Sequence, residues 1–252
     1  MKFGLRSLSV TASVLLVIAG CATDKSFRIP RSTFDKEVTA IAVLPCENQI
    51  AASIDEHKQA YLAWVSSLKK NMNNGFNFVM VSGSSATEID AEAKEWNDRF
   101  ETTDRPFVAR CLEIADSAMV ASLSATNRFA LTDPPQCAKV KKDVFIENRI
   151  VTRADTIDLS YDPARKKAIA DTFIKRLPGD AVMNMSLQCA PAFQGKRASL
   201  SLKVIIMSKA RDLYWEKYLV LVDIDKKTKL EEVLHSGQIE KAIVDAVKTF
   251  KR

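Results

Sequence analysis

Residues Val38 to Pro45 form a nearly continuous apolar run that ends at a proline. Such a run is typical of a strand buried on both faces, as in a sheet that has helices on each side. A helix over 53–73 follows, with apolar residues every three or four positions and Ser53 as its cap. These two segments predict a sheet covered by helices, with the first strand near its centre.

The second half of the chain favours antiparallel strands. Ala181 to Cys189 alternates apolar and polar residues, and 198–208 with 213–223 predict a hairpin joined by a turn at 209–212. We therefore predict an α/β (α+β) fold, a mixed β-sheet with helices packed on it in a single domain. Further strands are predicted at 76–81 and 128–132. Further helices are predicted to begin at Thr87 and at Asp162 and to cover 104–125 and 229–250, the last with a kink at Gly237. The secondary structure of 137–160 stays ambiguous.

The N-terminal segment has the features of an export signal. A short basic start precedes apolar residues that are dense from Val14 to Ala19, fewer than the roughly 20 that a transmembrane helix needs. The tail Ile18-Ala19-Gly20-Cys21 resembles the bacterial lipoprotein signal, or lipobox. The resemblance implies cleavage before Cys21 and acylation of its thiol. The alternatives are an ordinary secretory signal that ends in Cys and a buried apolar helix.

This resemblance divides the chain into a signal peptide (1–20), a lipidated N-terminus with a polar tether (21–37) and a periplasmic domain (38–252). Ala22 follows Cys21 in place of the aspartate that is the retention signal in lipoprotein sorting, which implies sorting to the outer membrane. A tether over 22–37 would reach at most about 55 Å when extended. In the alternative, Phe27, Ile29 and Phe34 dock on the domain.

The charge and composition of the chain argue against nucleic acid as a partner. They exclude few other classes of partner. The chain has 37 Lys and Arg against 31 Asp and Glu, and two of the basic residues lie in the predicted signal. The densest basic clusters, 139–142 and 226–229, are short and typical of solvated faces. We predict that the partners are the membrane, through the anchor, and envelope proteins, with a homo-oligomer as an open alternative.

Four cysteines remain besides Cys21, an even number that permits two disulfides in an exported chain. Cys46 and Cys189 both follow predicted core strands, so these two thiols would meet if the strands were parallel and adjacent. Cys111 and Cys137 would form the other pair. Buried free thiols are the alternative.

No catalytic, metal or cofactor site is predicted. His57 and His235 are the only histidines, and no spacing places a second ligand beside either of them. The sequence also has no Gly-x-Ser-x-Gly and no glycine-rich phosphate loop. Carboxylate pairs such as Asp223 with Asp225 leave a hydrolase open as an alternative.

Tyr214 and Tyr218 are the candidate partner-binding residues. The alternation of the predicted strand puts them on one face, with Trp215 on the other. Aromatic side chains on an edge strand are suited to binding a protein. The alternative is that the last helix covers these rings.

Several short motifs are similar to those of the CsgG-like, LpoB-like and TolB amino-terminal-like periplasmic lipoproteins. The similarity is seen at Ile41-Ala42-Val43-Leu44-Pro45, Asn74-Gly75-Phe76-Asn77-Phe78-Val79, Gly179-Asp180-Ala181-Val182 and Asp212-Leu213-Tyr214-Trp215. Cys46 departs from the pattern, as does the segment 83–163. The resemblance implies a non-enzymatic accessory factor for secretion, polymer export or cell-wall synthesis. A lipid-anchored hydrolase and a ligand-binding surface lipoprotein are the competing hypotheses.

Overall fold

The computed structural model of the protein describes residues 26–72, 85–147, 152–153, 156–157, 163–208, 214–225 and 227–250. Within these ranges, the chain forms one mixed sheet with helices on both faces, which confirms the predicted fold class. In chain order the strands are β1 (Ala40–Val43), β2 (Glu47–Asn48), β3 (Ala130–Leu131), β4 (Thr152–Arg153), β5 (Thr156–Ile157), β6 (Ala181–Pro191), β7 (Arg197–Ser208) and β8 (Trp215–Asp225).

The helices cover most of the chain between these strands. In chain order they are α1 (Arg31–Glu37), α2 (Ile50–Met72), α3 (Ala86–Asp98), α4 (Arg105–Ser124), α5 (Pro134–Glu147), α6 (Pro163–Arg176), α7 (Leu230–His235) and α8 (Gln238–Val247). A π-helical turn, Arg99–Thr103, joins α3 to α4, and a 3-10 turn, Lys248–Phe250, follows α8.

Strand β6 is the centre of the sheet. It pairs in parallel with β1 and β2 on one side and antiparallel with β7 on the other, and β7 pairs antiparallel with β8. The predicted hairpin of the second half is therefore confirmed, while its turn at 209–212 lies outside the described residues. Strand β8 has β7 as its only strand neighbour in the described chain, so it is an edge strand.

Two apolar cores lie on opposite faces of the sheet. The larger core packs α2, α3, α4, α7 and α8 against the side of β6 that carries Met183, Met185 and Leu187. The smaller core packs α5 and α6 against Ala42 and Val182 on what we call the outer face. Strand β1 is buried on both faces, as its apolar sequence predicts.

Several helix ends differ from the sequence prediction. Helix α2 begins at Ile50, whose N–H donates to Asn48 Oδ1 at 3.1 Å, so Ser53 lies inside the helix and is not its cap. Helix α3 is capped by Ser85 with Glu88 rather than started by Thr87. The predicted kink at Gly237 is a complete break, because this residue adopts a left-handed φ of 66° between α7 and α8.

The ambiguous segment 137–160 contains most of α5 and the short strands β4 and β5. The strand predicted at 128–132 is limited to Ala130–Leu131, and Pro134 begins α5 soon after it. Proline is tolerated in the first helical turn because that turn needs no backbone N–H donor. The strand predicted at 76–81 lies outside the described residues.

The prediction of a polar tether over 22–37 is wrong for residues 26–37. These residues, which we call the N-terminal strap, lie against the domain and include α1. Phe34 is fully buried, and Phe27 and Ile29 pack against the large core. The docking alternative is therefore confirmed: Phe34 loses its contact with water on the domain, and Phe27 and Ile29 lose part of theirs. Residues 22–25 and the lipobox lie outside the described chain.

Candidate functional site

A bulge at Leu44-Pro45-Cys46 separates β1 from β2. Val43 lies opposite Met183 and Glu47 lies opposite Ser186, so three residues of one strand face two of the other. Proline has no N–H to donate to the ladder, which is why the pairing is interrupted here. The backbone groups at this point must therefore find side-chain partners.

Those partners come from two helices. The N–H of Cys46 donates to Asp116 Oδ1 of α4 at 2.7 Å, and Lys141 Nζ of α5 donates to the carbonyl of Pro45 at 2.5 Å. Lys141 also pairs with Glu47 Oε1 at 3.1 Å, and both side chains are more than nine-tenths buried. The bulge is thus held by a buried ion pair and a carboxyl group, none of which is among the candidate site residues predicted from the sequence.

Amide groups complete this network. Gln49 Nε2 donates to Glu47 Oε2 at 2.9 Å, and Gln188 Nε2 donates to Gln49 Oε1 at 3.3 Å. Burial raises the pKa of Asp116, against the opposing influence of the Cys46 N–H and the Lys141 charge. Every polar group of this network already has a partner, so its evident role is to satisfy the bulge.

The four cysteines of the described chain are free, and the predicted disulfides are wrong. Since Glu47 lies opposite Ser186, Cys46 lies near the level of Met185, four residues before Cys189. Four residues of strand span about 13 Å, whereas bridged Cα atoms lie within about 7 Å of each other. Cys111 and Cys137 belong to cores on opposite faces of the sheet.

The thiols are also poor nucleophiles. Burial raises the pKa of Cys111 and of Cys189 to about 12. Burial likewise raises the pKa of Cys137, and it raises that of Cys46 well above its usual value, with Asp116 adding to the effect. Cys46 therefore carries a protonated thiol beside the bulge and does not form the predicted disulfide.

We expect these four thiols to be almost unreactive towards iodoacetamide at pH 8 in the folded protein, because little thiolate is present. All four should become alkylated in denaturant without any reductant, as mass spectrometry of peptides can show. Recovery of a disulfide-linked peptide from the non-reduced protein would contradict the free state of the thiols.

The outer face of strands β7 and β8 carries side chains that are exposed to solvent. In the hairpin, Tyr218 lies opposite Lys203 and Val220 lies opposite Ser201. Tyr218 is 57% exposed and Val220 is 63% exposed. We call these four residues the β8 patch. The aromatic pattern of the strand predicts Tyr218 but not Val220, although Val220 lies two residues further along the strand and therefore on the same face.

Charged groups fix one end of the patch. Lys203 Nζ lies 5.2 Å from the centroid of the Tyr218 ring and 3.2 Å from Glu216 Oε1. Glu216 Oε2 in turn accepts from Arg28 Nη2 of the strap at 2.8 Å. Hydrogen bonds from Arg28 and Lys203 hold the pKa of Glu216 below its usual value. This network orients Lys203 and leaves Tyr218 facing solvent.

Tyr214 does not belong to the patch, which corrects its prediction as a binding residue. It is 1% exposed, and its ring meets that of Phe34 edge-on at a centroid distance of 5.8 Å. Its hydroxyl donates to Glu37 of α1. Tyr214 lies just before β8 begins, so strand alternation does not apply to it, and the strap covers its ring.

A surface groove of about 720 Å³ is a separate feature on α3 and the π-helical turn. Arg99 lines it, with Nε 2.6 Å from Asp104 Oδ2 and Nη1 2.9 Å from the carbonyl of Asp225. Neither histidine lines this groove; its lining is Ala91, Lys94, Glu95, Asp98, Arg99, Thr103 and Asp104. The described residues hold no cluster of His, Cys, Asp and Glu suited to a metal ion.

Comparison of the chain with protein-family models, curated proteins and solved structures finds no match. The resemblance to periplasmic lipoproteins therefore stays a prediction. Among the described helices, none is both long and apolar enough to cross a bilayer.

Proposed function

We propose that the chain is a lipid-anchored protein of the bacterial outer membrane that binds another envelope protein and acts as a non-enzymatic accessory or assembly factor. The lipobox at Ile18-Ala19-Gly20-Cys21 supports the anchor, and Ala22 supports the outer membrane as its location. Acylation of Cys21 with several chains gives stable attachment, because one chain alone gives only marginal binding.

The exposure of Tyr218 and Val220 is the observation that supports protein binding. Two large apolar side chains are adjacent on one face of an edge strand, where no helix of the described chain covers them. Tyrosine is enriched at protein interfaces because its ring is apolar and its hydroxyl can still meet water or a partner. An edge strand adds unpaired backbone groups to such a surface. The β8 patch is thus suited to a protein surface or an extended segment.

The anchor is tested by labelling cells with an alkyne analogue of palmitate. The wild-type chain should be labelled and should fractionate with the outer membrane, whereas Cys21→Ser should lose the label and leave the membrane. Cys46→Ser is the matched control, since its thiol lies in the folded domain. Undiminished labelling of Cys21→Ser would contradict acylation at this residue.

Partner binding is tested with Tyr218→Ala. Loss of a central aromatic contact costs about 2 kcal/mol of binding, roughly 30-fold in affinity. We expect this loss of affinity for the partner identified by cross-linking and purified from the envelope, with no change in melting temperature. Ile146→Ala is the matched control, because Ile146 is 65% exposed on α5.

Tyr214→Ala separates folding from binding. This substitution should lower the melting temperature, because Tyr214 is in the core.

Equal affinity of Tyr218→Ala and the wild type for the partner would exclude the β8 patch as the binding surface.

A further inference from the structure

The strap joins the domain at the free edge of β8. Phe27 forms an antiparallel bridge with Trp215. The N–H of Arg28 donates to the carbonyl of Tyr214, and the N–H of Glu216 donates to the carbonyl of Ser26, both at 2.9 Å. Ser26 is therefore fixed beside the beginning of the edge strand.

Side chains keep the strap in this position. The ring of Phe27 meets those of Phe34 and Phe250, at centroid distances of 5.2 Å and 6.2 Å. Asp35 of α1 forms an ion pair with Arg128, whose side chain is only 6% exposed. The strap is thus locked to the core over its whole length, and it does not lengthen the connection to the anchor.

Only residues 22–25 separate Cys21 from Ser26. Five peptide steps span at most about 18 Å, even when fully extended. The sixteen-residue tether predicted from the sequence would have allowed about 55 Å. An acyl group on Cys21 must therefore hold the beginning of β8 close to the lipid headgroups.

We propose that the strap and the beginning of β8, where the strap joins it, are the surface of the domain that lies against the bilayer. This inference rests on the proposed acylation of Cys21. Arg28 and Arg31 of the strap pair with Glu216 and Asp35, and their side chains are still 56% and 44% exposed. Exposed guanidinium groups are suited to phosphate headgroups. Helix α5 packs on β1, three strands from β8 and about 14 Å away across the sheet.

The experiment uses the full acylated protein in vesicles of phosphatidylethanolamine and phosphatidylglycerol, with a benzophenone amino acid at one position. Arg28 is the test position, since its replacement keeps the backbone bond to the Tyr214 carbonyl and removes only the side-chain bond to Glu216. Lys142, an exposed basic residue of α5, is the matched control. A further variant of the Arg28 protein carries about 20 added Gly and Ser residues between Thr23 and Asp24, which span about 25 Å on average.

Cross-linking to lipid should be several-fold greater from position 28 than from position 142, and the added linker should reduce the yield from position 28 to the level of position 142. Equal yields from the two positions, in protein labelled by the palmitate analogue, would overturn the proposed orientation alone. Absence of that label would overturn the proposed anchor and with it the orientation.

Discussion

Replacing Phe34 with alanine should lower the free energy of unfolding by about 3–5 kcal/mol. The ring is fully buried and has centroid distances of 5.2 Å to Phe27, 5.8 Å to Tyr214 and 5.8 Å to Phe250. Its removal leaves a cavity between the strap and the core, which the neighbouring rings cannot fill without moving. For a chain of this size, the melting temperature should fall by roughly 10 °C.

Phe193→Ala is the matched control, because Phe193 is only partly buried and contacts Tyr61 at a centroid distance of 5.8 Å. Denaturant unfolding of the two variants should show the larger loss for Phe34→Ala. A loss below that of Phe193→Ala would mean that residues 26–37 are a tether after all, and it would remove the basis for the short connection to the membrane.

Replacing Lys141 with methionine should also lower the free energy of unfolding by about 3–5 kcal/mol, the usual cost of leaving a buried charge without its partner. Methionine preserves much of the side-chain length but removes the donor to the Pro45 carbonyl and the charge beside Glu47. Both orphaned oxygens would lie in the protein interior. Chemical denaturation of the purified domain measures the loss.

The double variant Lys141→Met with Glu47→Gln tests the cause. An amide at residue 47 removes the unpaired charge, so the double variant should be clearly more stable than Lys141→Met alone. The matched surface variant Lys142→Met should be nearly neutral, because Lys142 is exposed. Additive losses from the two substitutions of the double variant would show that the ion pair is not coupled.

The parts of the fold that follow local patterns could be predicted from the sequence. The continuous apolar run of β1 predicts burial on both faces, and the alternation in β6, β7 and β8 predicts the hairpin. Periodicity also predicts α2, α4 and α6, because a helix that packs on a sheet needs one apolar stripe.

The sequence favours a tether over the docked strap because the anchoring partners of the strap are distant in sequence. Phe34 and Val38 have the spacing of one helical face, and Pro30 precedes a short helix, but the residues between them are polar. Their burial depends on Tyr214 and Phe250, which the chain supplies much later. The same distance explains the error at Tyr214, which α1 covers.

The bulge network shows a second limit. Pro45 within a strand signals a break in the ladder, and Lys141 lies on the apolar stripe of α5 with Cys137 and Val144. The proline and the buried lysine are each visible in the sequence, but no local sequence pattern shows that the Lys141 side chain contacts the backbone at Pro45. The disulfide error has a different origin, because the pairing of Val43 with Met183 would leave Cys46 three residues, about 10 Å, short of Cys189 even without the bulge.

The orientation of the strap affects what the β8 patch can bind. The patch lies on the outer face, a few residues along β8 from the end that we propose to face the bilayer. A partner that contacts Tyr218 would therefore bind the domain close to the membrane surface.

Photo-cross-linking in living cells tests the central claim most directly. A benzophenone amino acid at position 218 should link the protein to one discrete envelope protein, and Tyr218 is suitable because it is 57% exposed. The same group at position 146 on α5 is the control and should give no such product. In Cys21→Ser, the product at position 218 should disappear because the protein is no longer held at the membrane. Equal products from positions 218 and 146, or no product at 218 in the acylated protein, would contradict the account.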